Sequence, residues 1–211
     1  NPYNLIIQYS SKIEFEHLGA DFIAISAHKM AGPTGIGCLL TTSERIQQMK
    51  PFMTGGSIIK KVTMDGTIFK DGHEMFETGT PRIAEAIGWG AAVEWLDQFE
   101  MKDIHEHIHN IASLAGDEMR SIPGIKIYGD PNNKDSAGAI SFLHETIQSQ
   151  DLAILLDEGG FAVRTGHHCA QPLMDALGVP STNRASFWIY NTKEEVEAFV
   201  KHLRYICERF S

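Results

Sequence analysis

Four short segments of the 211-residue chain hold the residue types that do covalent and anion-binding chemistry. Ser26-Ala27-His28-Lys29 places a lysine directly after an apolar run, Phe22 to Ser26. Partial burial lowers the pKa of a lysine, and a neutral amine forms a Schiff base with an aldehyde. There His28 is suited to stack on an aromatic cofactor ring and Ser26 to bind a phosphate. The ordinary alternative is a loop lysine beside a buried histidine. Phe76-Glu77-Thr78-Gly79-Thr80-Pro81 sets a hydroxyl, Thr80, where a helix is expected to begin, and free N–H groups there favour anions. The alternative is a plain helix cap. Arg164-Thr165-Gly166-His167-His168-Cys169 surrounds a thiol with cationic groups, which raises its thiolate fraction. The alternatives are a spectator cysteine or a zinc site, since His167, His168 and Cys169 are good zinc ligands. Adjacent ligands in one short loop rarely complete a tetrahedral site, and no second ligand pair of familiar spacing follows. No metal is therefore expected. Asn183-Arg184-Ala185-Ser186 offers a guanidinium fork able to hold a carboxylate in two-pronged fashion. A surface salt bridge is its commoner use.

These segments need elements to hold them. Phe22 to Ser26 reads as a buried strand, and Gly35 to Leu40 as a second after the Gly32-Pro33 turn. A helix over 43–49 takes Ser43 as its cap. Residues 54–76, rich in Gly, Lys and Thr, read as an extended loop or hairpin. Thr80 and Pro81 open a long helix, capped by Thr80, whose apolar face is Ile83, Ile87, Ala91 and Trp95. A second helix carries Ile104, Ile108, Ile111 and Ala115 and stops near Pro123-Gly124. Strands follow at Ile125 to Tyr128 and Ala139 to Leu143, then a helix over 151–158 ending at Gly159-Gly160. Phe161 to Arg164 and Ala185 to Tyr190 read as strands. Thr192 and Glu195 form a capping box for a last helix with Val196, Phe199, Val200, Leu203 and Ile206 on its apolar face. The expected organisation is an α/β portion over 1–97, followed by a compact αββαβα-like α+β unit over 98–211.

Composition removes several classes. Hydrophobic residues make up 43% and charged residues 21%, a globular balance. A net charge of −9 argues against nucleic acid as partner. No apolar run reaches the ~20 residues that span a bilayer, and the start at Asn1-Pro2-Tyr3-Asn4 has no secretory pattern. Three widely spaced cysteines, Cys38, Cys169 and Cys207, argue against a disulfide framework and for a reducing compartment, the cytoplasm.

Taken together, the segments ADFIAISAHKMAGPTGIGCLL, FETGTPRIAEAIGWGAAVEWL, VRTGHHCAQPLM and NRASFWIYNTKEEVEAFV resemble the group II cysteine desulfurases. These lie within the class V aminotransferases of PLP fold-type I. The resemblance runs from about Lys12 to the C-terminus, and the short RTGHHCA loop is what points to group II. It implies the C-terminal half to two-thirds of a longer protein: part of a PLP-binding large domain, then a small domain with the cysteine loop. Lys29 would carry pyridoxal 5'-phosphate, His28 would stack on its ring and Ser26 would bind its phosphate. Thr80 would reach the phosphate of a neighbouring subunit's cofactor in a homodimer. The region from Gly55-Gly56-Ser57 to about Phe69 would be the hairpin covering the partner's site. Arg184 would clamp the substrate carboxylate, and Arg164 would line the site near Cys169. L-cysteine would become L-alanine, leaving a persulfide on Cys169. A sulfur-acceptor protein of iron–sulfur cluster assembly would then draw off that sulfur.

One stretch departs from the family. An Asp-x-x-Gln pattern usually precedes the segment corresponding to Lys12, and its Asp pairs with the cofactor's ring nitrogen. Here NPYNLIIQYSS has Gln8, but Leu5 stands three residues before it. Weak cofactor binding is the expectation from that loss. Related chemistries stay open: selenocysteine lyase or cysteine sulfinate desulfinase activity, or a non-catalytic sulfur-relay or dimerisation module.

Overall fold

The computed structural model describes residues 18–136 and 138–210. The departure at Leu5 and Gln8 lies outside them. The chain forms two compact units that divide between Glu100 and Met101.

In the first unit, β1 (Phe22–Ser26) and β2 (Gly37–Thr41) pair antiparallel, with Phe22 opposite Thr41 and Ser26 opposite Gly37. β1 is less buried than its apolar composition suggests, for Phe22 is 43% exposed. β2 begins two residues later than the sequence implies, because Gly35 turns the chain with φ +83°. A single 3-10 turn, Ala27–Lys29, follows β1. Both Met30 N–H and Gly32 N–H donate to Ala27 O, each at 2.9 Å. A side chain at position 32 would meet Ala27 O at 2.9 Å, so glycine is required for this tight return.

Helix α1 (Ser43–Gln48) is capped one residue earlier than expected: Thr42 Oγ1, not Ser43, accepts from Arg45 N–H at 3.3 Å. β3 (Ile59–Thr63) and β4 (Gly66–Phe69) form the expected hairpin, closed at Thr63 opposite Gly66. Val62, Met64 and Ile68 stand exposed on it.

Helix α2 (Ile83–Leu96) starts after Arg82, not at Thr80-Pro81. Thr80 lies in an exposed bend, and the cap position falls on Arg82, which makes no side-chain cap hydrogen bond. The expected apolar face is not buried: Ile83 is 58% exposed, Ile87 70% and Trp95 38%. Apolar residues recur around most of this helix, and among the described residues no strand or other helix packs extensively against it.

The second unit has helix α3 (Met101–Arg120), strands β5 (Ile125–Tyr128) and β6 (Ala139–His144), and helix α4 (Ser149–Glu158). Then come β7 (Arg164–Gly166), helix α5 (Gln171–Leu177), β8 (Thr182–Ser186) and helix α6 (Lys193–Phe210). The sheet order is β5-β6-β8-β7, antiparallel throughout. The unit is thus αββαβαβα. The sequence reading lacks α5, a short helix with Pro172 in its first turn and Gly178 at φ +69° closing it.

Two strand positions also shift. Phe161 N–H donates back to Leu156 O at 2.9 Å, finishing α4, so the strand begins at Arg164 rather than at Phe161. Beyond Ser186 the chain turns instead of extending to Tyr190. Asn191 Oδ1 accepts from Trp188 N–H at 2.8 Å, and Asn191 N–H donates to Trp188 O at 3.0 Å.

Strand alternation sorts the sheet into two faces. Ile140 and Phe142 of β6 and Ala185 of β8 join the core with Ile111, Ala115 and Met119 of α3, Leu152 and Leu156 of α4, and the apolar stripe of α6. Arg184 of β8, Ser141 opposite it on β6 and Arg164 opposite it on β7 therefore belong to the other face.

The capping box of α6 forms as expected. Glu195 N–H donates to Thr192 Oγ1 at 3.2 Å, and Thr192 N–H donates to Glu195 Oε2 at 3.0 Å. Thr192→Ala removes one half of that exchange and is expected to cost ~1 kcal/mol of stability. Thermal unfolding of the variant should show a Tm lower by a few degrees, and an unchanged Tm would contradict it.

Candidate functional site

The chemistry-bearing residues fall into two groups, one in each unit. In the first unit the 3-10 turn sets His28 and Lys29 at the end of β1, with Ser26 as the last strand residue. Ser26 caps the turn without using its hydroxyl. His28 is exposed and Lys29 half-buried. This donor set is a hydroxyl, a flat imidazole and a primary amine within four residues. It suits a phosphorylated aromatic aldehyde such as pyridoxal phosphate. Thr80 lies further along the same unit, exposed.

The second group is built on β7, β8 and the loop between β7 and α5. Arg164 and Arg184 face each other across the ladder. Like charges directly opposite repel, and among the described residues neither guanidinium has an acidic partner within salt-bridge distance. Burial, and then the neighbouring Arg164, push the Arg184 pKa down, while Cys169 opposes that shift. Arg184 Nε is buried with no hydrogen-bond partner among the described residues. An anion such as a carboxylate would relieve the repulsion and satisfy the buried donor.

Cys169 stands at the rim of this pair. It is exposed, and Arg164 Nη2 donates to its sulfur at 3.2 Å. His168 and Cys169 both occupy the left-handed backbone region, at φ +56° and +61°. Non-glycine residues take that region at a cost of ~1–3 kcal/mol each. Ala170 N–H closes the loop onto His167 O at 2.9 Å. The other two thiols are less available: Cys207 is buried, which pushes its pKa up to about 11, and burial also raises that of Cys38.

Thus the structure brings Arg164, His167, His168, Cys169 and Arg184 into one region. It brings Ser26, His28 and Lys29 into another. Among the described residues no three His, Cys, Asp or Glu side chains cluster to hold a metal ion, and no helix is long and apolar enough to cross a membrane. The sequence reading passes over Thr182, which is fully buried and accepts a hydrogen bond from His168. Its signal is positional: it sits two residues before Arg184 and so shares its sheet face.

Comparison with known proteins places these features in context. A family model described as aminotransferase class-V matches residues 8–199. A probable cysteine desulfurase of Halalkalibacterium halodurans is 44% identical over 199 residues, which are 94% of this chain and 48% of that protein. A cysteine desulfurase of Haloferax volcanii is 41% identical, over 94% of this chain and 46% of its own length. The chain spans about half the length of the curated relatives it matches. Among solved structures, the cysteine desulfurase CsdA of Escherichia coli, in an S-sulfonic acid form, superposes with a TM-score of 0.86 at 37% identity. The match covers 93% of this chain and 48% of that one. The apo cysteine desulfurase of Thermococcus onnurineus gives 0.88 at 36% identity, over 92% of this chain and 49% of its own. The α/β fold is therefore that of these enzymes, present here as a partial large domain and a small α+β domain.

Proposed function

We infer that this chain, which belongs to the class-V aminotransferase family, is the lysine- and cysteine-bearing part of a pyridoxal-phosphate cysteine desulfurase. The observation that carries this reading is the cysteine loop: an exposed thiol 3.2 Å from Arg164, beside a second, half-buried arginine that has no acidic partner among the described residues. A nucleophile and a carboxylate anchor on adjoining elements are what an amino-acid substrate with a reactive sulfur needs.

Each residue then has a task. Lys29 holds the cofactor's aldehyde and is the base for the substrate's Cα proton. Ser26 takes the phosphate, and His28 stacks on the ring. The cofactor, when bound, supplies the electron sink for the carbon that bears the amine. Arg184 fixes the substrate carboxylate. Arg164 steadies negative charge on the Cys169 sulfur. That sulfur bonds to the substrate sulfur as the substrate C–S bond breaks, and its electron pair stays with the carbon. Protonation of that carbon gives alanine. In sum, the thiol and L-cysteine yield a persulfide and L-alanine.

The reading extends to partners. Thr80 reaches a second subunit's cofactor phosphate in a homodimer, and the exposed hairpin β3–β4 covers that subunit's site. The persulfide passes to an acceptor protein of iron–sulfur assembly in the cytoplasm. The unit over residues 18–100 is the cofactor part, and that over 101–210 is the cysteine-loop domain.

The test is alanine release from L-cysteine, with the persulfide trapped and located on Cys169 by mass. Faster turnover of selenocysteine or cysteine sulfinate, with no persulfide on Cys169, would replace this reading with one of the related activities. Arg184→Ala should raise KM for L-cysteine by roughly 10- to 100-fold, since a charge-assisted hydrogen bond contributes ~1.5–3 kcal/mol. An unchanged KM would remove Arg184 from carboxylate binding.

A further inference from the structure

We propose that His168 is the positioning residue of the cysteine loop, pinning it to β8 through Thr182 so that the Cys169 sulfur is held against Arg164 at a fixed distance from Arg184. The inference rests on the desulfurase reading for its purpose, but not for its geometry.

His168 Nε2 lies 3.0 Å from Thr182 O and 2.9 Å from Thr182 Oγ1. A carbonyl oxygen only accepts, so the ring carries its proton on Nε2 and donates. Burial first, and then the charge of Arg184, lower its pKa and so favour the neutral ring, with Arg164 and His167 adding to the effect. Only the hydrogen bond to the Thr182 backbone opposes them. Among the described residues Nδ1 is buried without a hydrogen-bond partner, and the ring's hydrogen bonds go to Thr182.

The pin has something to hold. Two successive non-glycine residues, His168 and Cys169, sit at positive φ. Such backbone persists only where the surroundings over-determine it. The loop's own closure, Ala170 N–H to His167 O, does not reach the sheet. The His168 ring does, and its anchor is rigid. Thr182 is fully buried in the sheet, and its hydroxyl lies 4.0 Å from Met174 Sδ of α5.

The position of that anchor matters as well. Thr182 and Arg184 are two residues apart on one strand, on the same face, about 7 Å from each other along it. One strand therefore carries both the carboxylate anchor and the post to which the nucleophile's loop is tied. Their spacing helps set how far the loop that carries the sulfur stands from the guanidinium. Release of the pin would let the loop relax to negative φ and carry the sulfur away from Arg164.

Alkylation of Cys169 by iodoacetamide at neutral pH, quantified on the Cys169 peptide by mass, reads this without cofactor or substrate. His168→Phe keeps the ring but loses the donor, and its alkylation is expected to be about tenfold slower than wild type. His168→Gln restores an N–H near the Nε2 position and should stay within about threefold. Wild-type rates in H168F, or equal slowing in H168F and H168Q, would overturn the proposal. If H168F does not fold, Thr182→Val decides. It removes one acceptor at constant shape, about threefold slowing is expected, and a wild-type rate refutes the pin. Slow H168F alkylation in a protein whose wild type makes no persulfide from L-cysteine would keep the pin and overturn the desulfurase reading. Persulfide formation with wild-type alkylation in H168F would do the reverse.

Discussion

Cys169→Ala should abolish alanine formation from L-cysteine, with turnover falling on the order of a thousandfold or more. Loss of a nucleophile that forms a covalent intermediate removes the whole route, not a fraction of its rate. No other thiol is placed to substitute. Cys207 is buried in the core with its pKa pushed up to about 11, and Cys38 lies on β2 in the other unit with its pKa also raised by burial. Cys169 is exposed, with a guanidinium on its sulfur. The alanine side chain is smaller and adds no clash, so the variant should fold and unfold as the wild type does. Cofactor loading should be unchanged, because the lysine group belongs to the other unit. Equal turnover in the variant and the wild type would refute the persulfide role and favour a direct lyase. A measured loss confined to cysteine, with selenocysteine still processed, would place Cys169 in sulfur capture alone.

Lys29→Ala carries the second large effect. Borohydride reduction of the wild-type protein at saturating pyridoxal phosphate should fix the label on the Lys29 peptide, and the variant should show none there. Turnover should fall by several orders of magnitude, because the variant loses both the amine that holds the aldehyde and the base for the Cα proton. The turn that carries Lys29 is set by backbone hydrogen bonds to Ala27 O, which alanine at position 29 leaves in place. The loss would therefore report the amine rather than a collapsed turn. A label on another lysine, or labelling undiminished in the variant, would remove Lys29 from the site. Because label position is read by mass, this result stands apart from any turnover measurement.

The site was legible in the sequence to different depths. Lys29 after a strand, and Cys169 among Arg164, His167 and His168, could be seen as chemistry waiting for a purpose. Each had an ordinary alternative, and only the joint resemblance chose between them. Local rules served well where the interactions are local. The capping box at Thr192 and Glu195 spans one helical turn and formed as written. The hairpin around Thr63 to Gly66 and the core stripe of α6 did so too. Local rules failed where the chain's neighbours decide. Thr80 has the chemistry of a cap, yet the helix begins after Arg82. Ile83, Ile87 and Trp95 have the period of a buried face, yet among the described residues no element covers it.

By itself, then, the sequence determined which residues hold reactive groups, because group chemistry is a property of the side chain. It also determined most elements, because their period and caps are short-range. Only the tertiary structure decided that Arg164 and Arg184 oppose each other, since strand register joins residues twenty positions apart. It alone placed Cys169 against a guanidinium, held in left-handed backbone that its own residue type disfavours. Thr182 gained its part there as well. Beyond its place two residues before Arg184, this threonine gains a part only when the fold sets it under a histidine fourteen residues earlier in the chain.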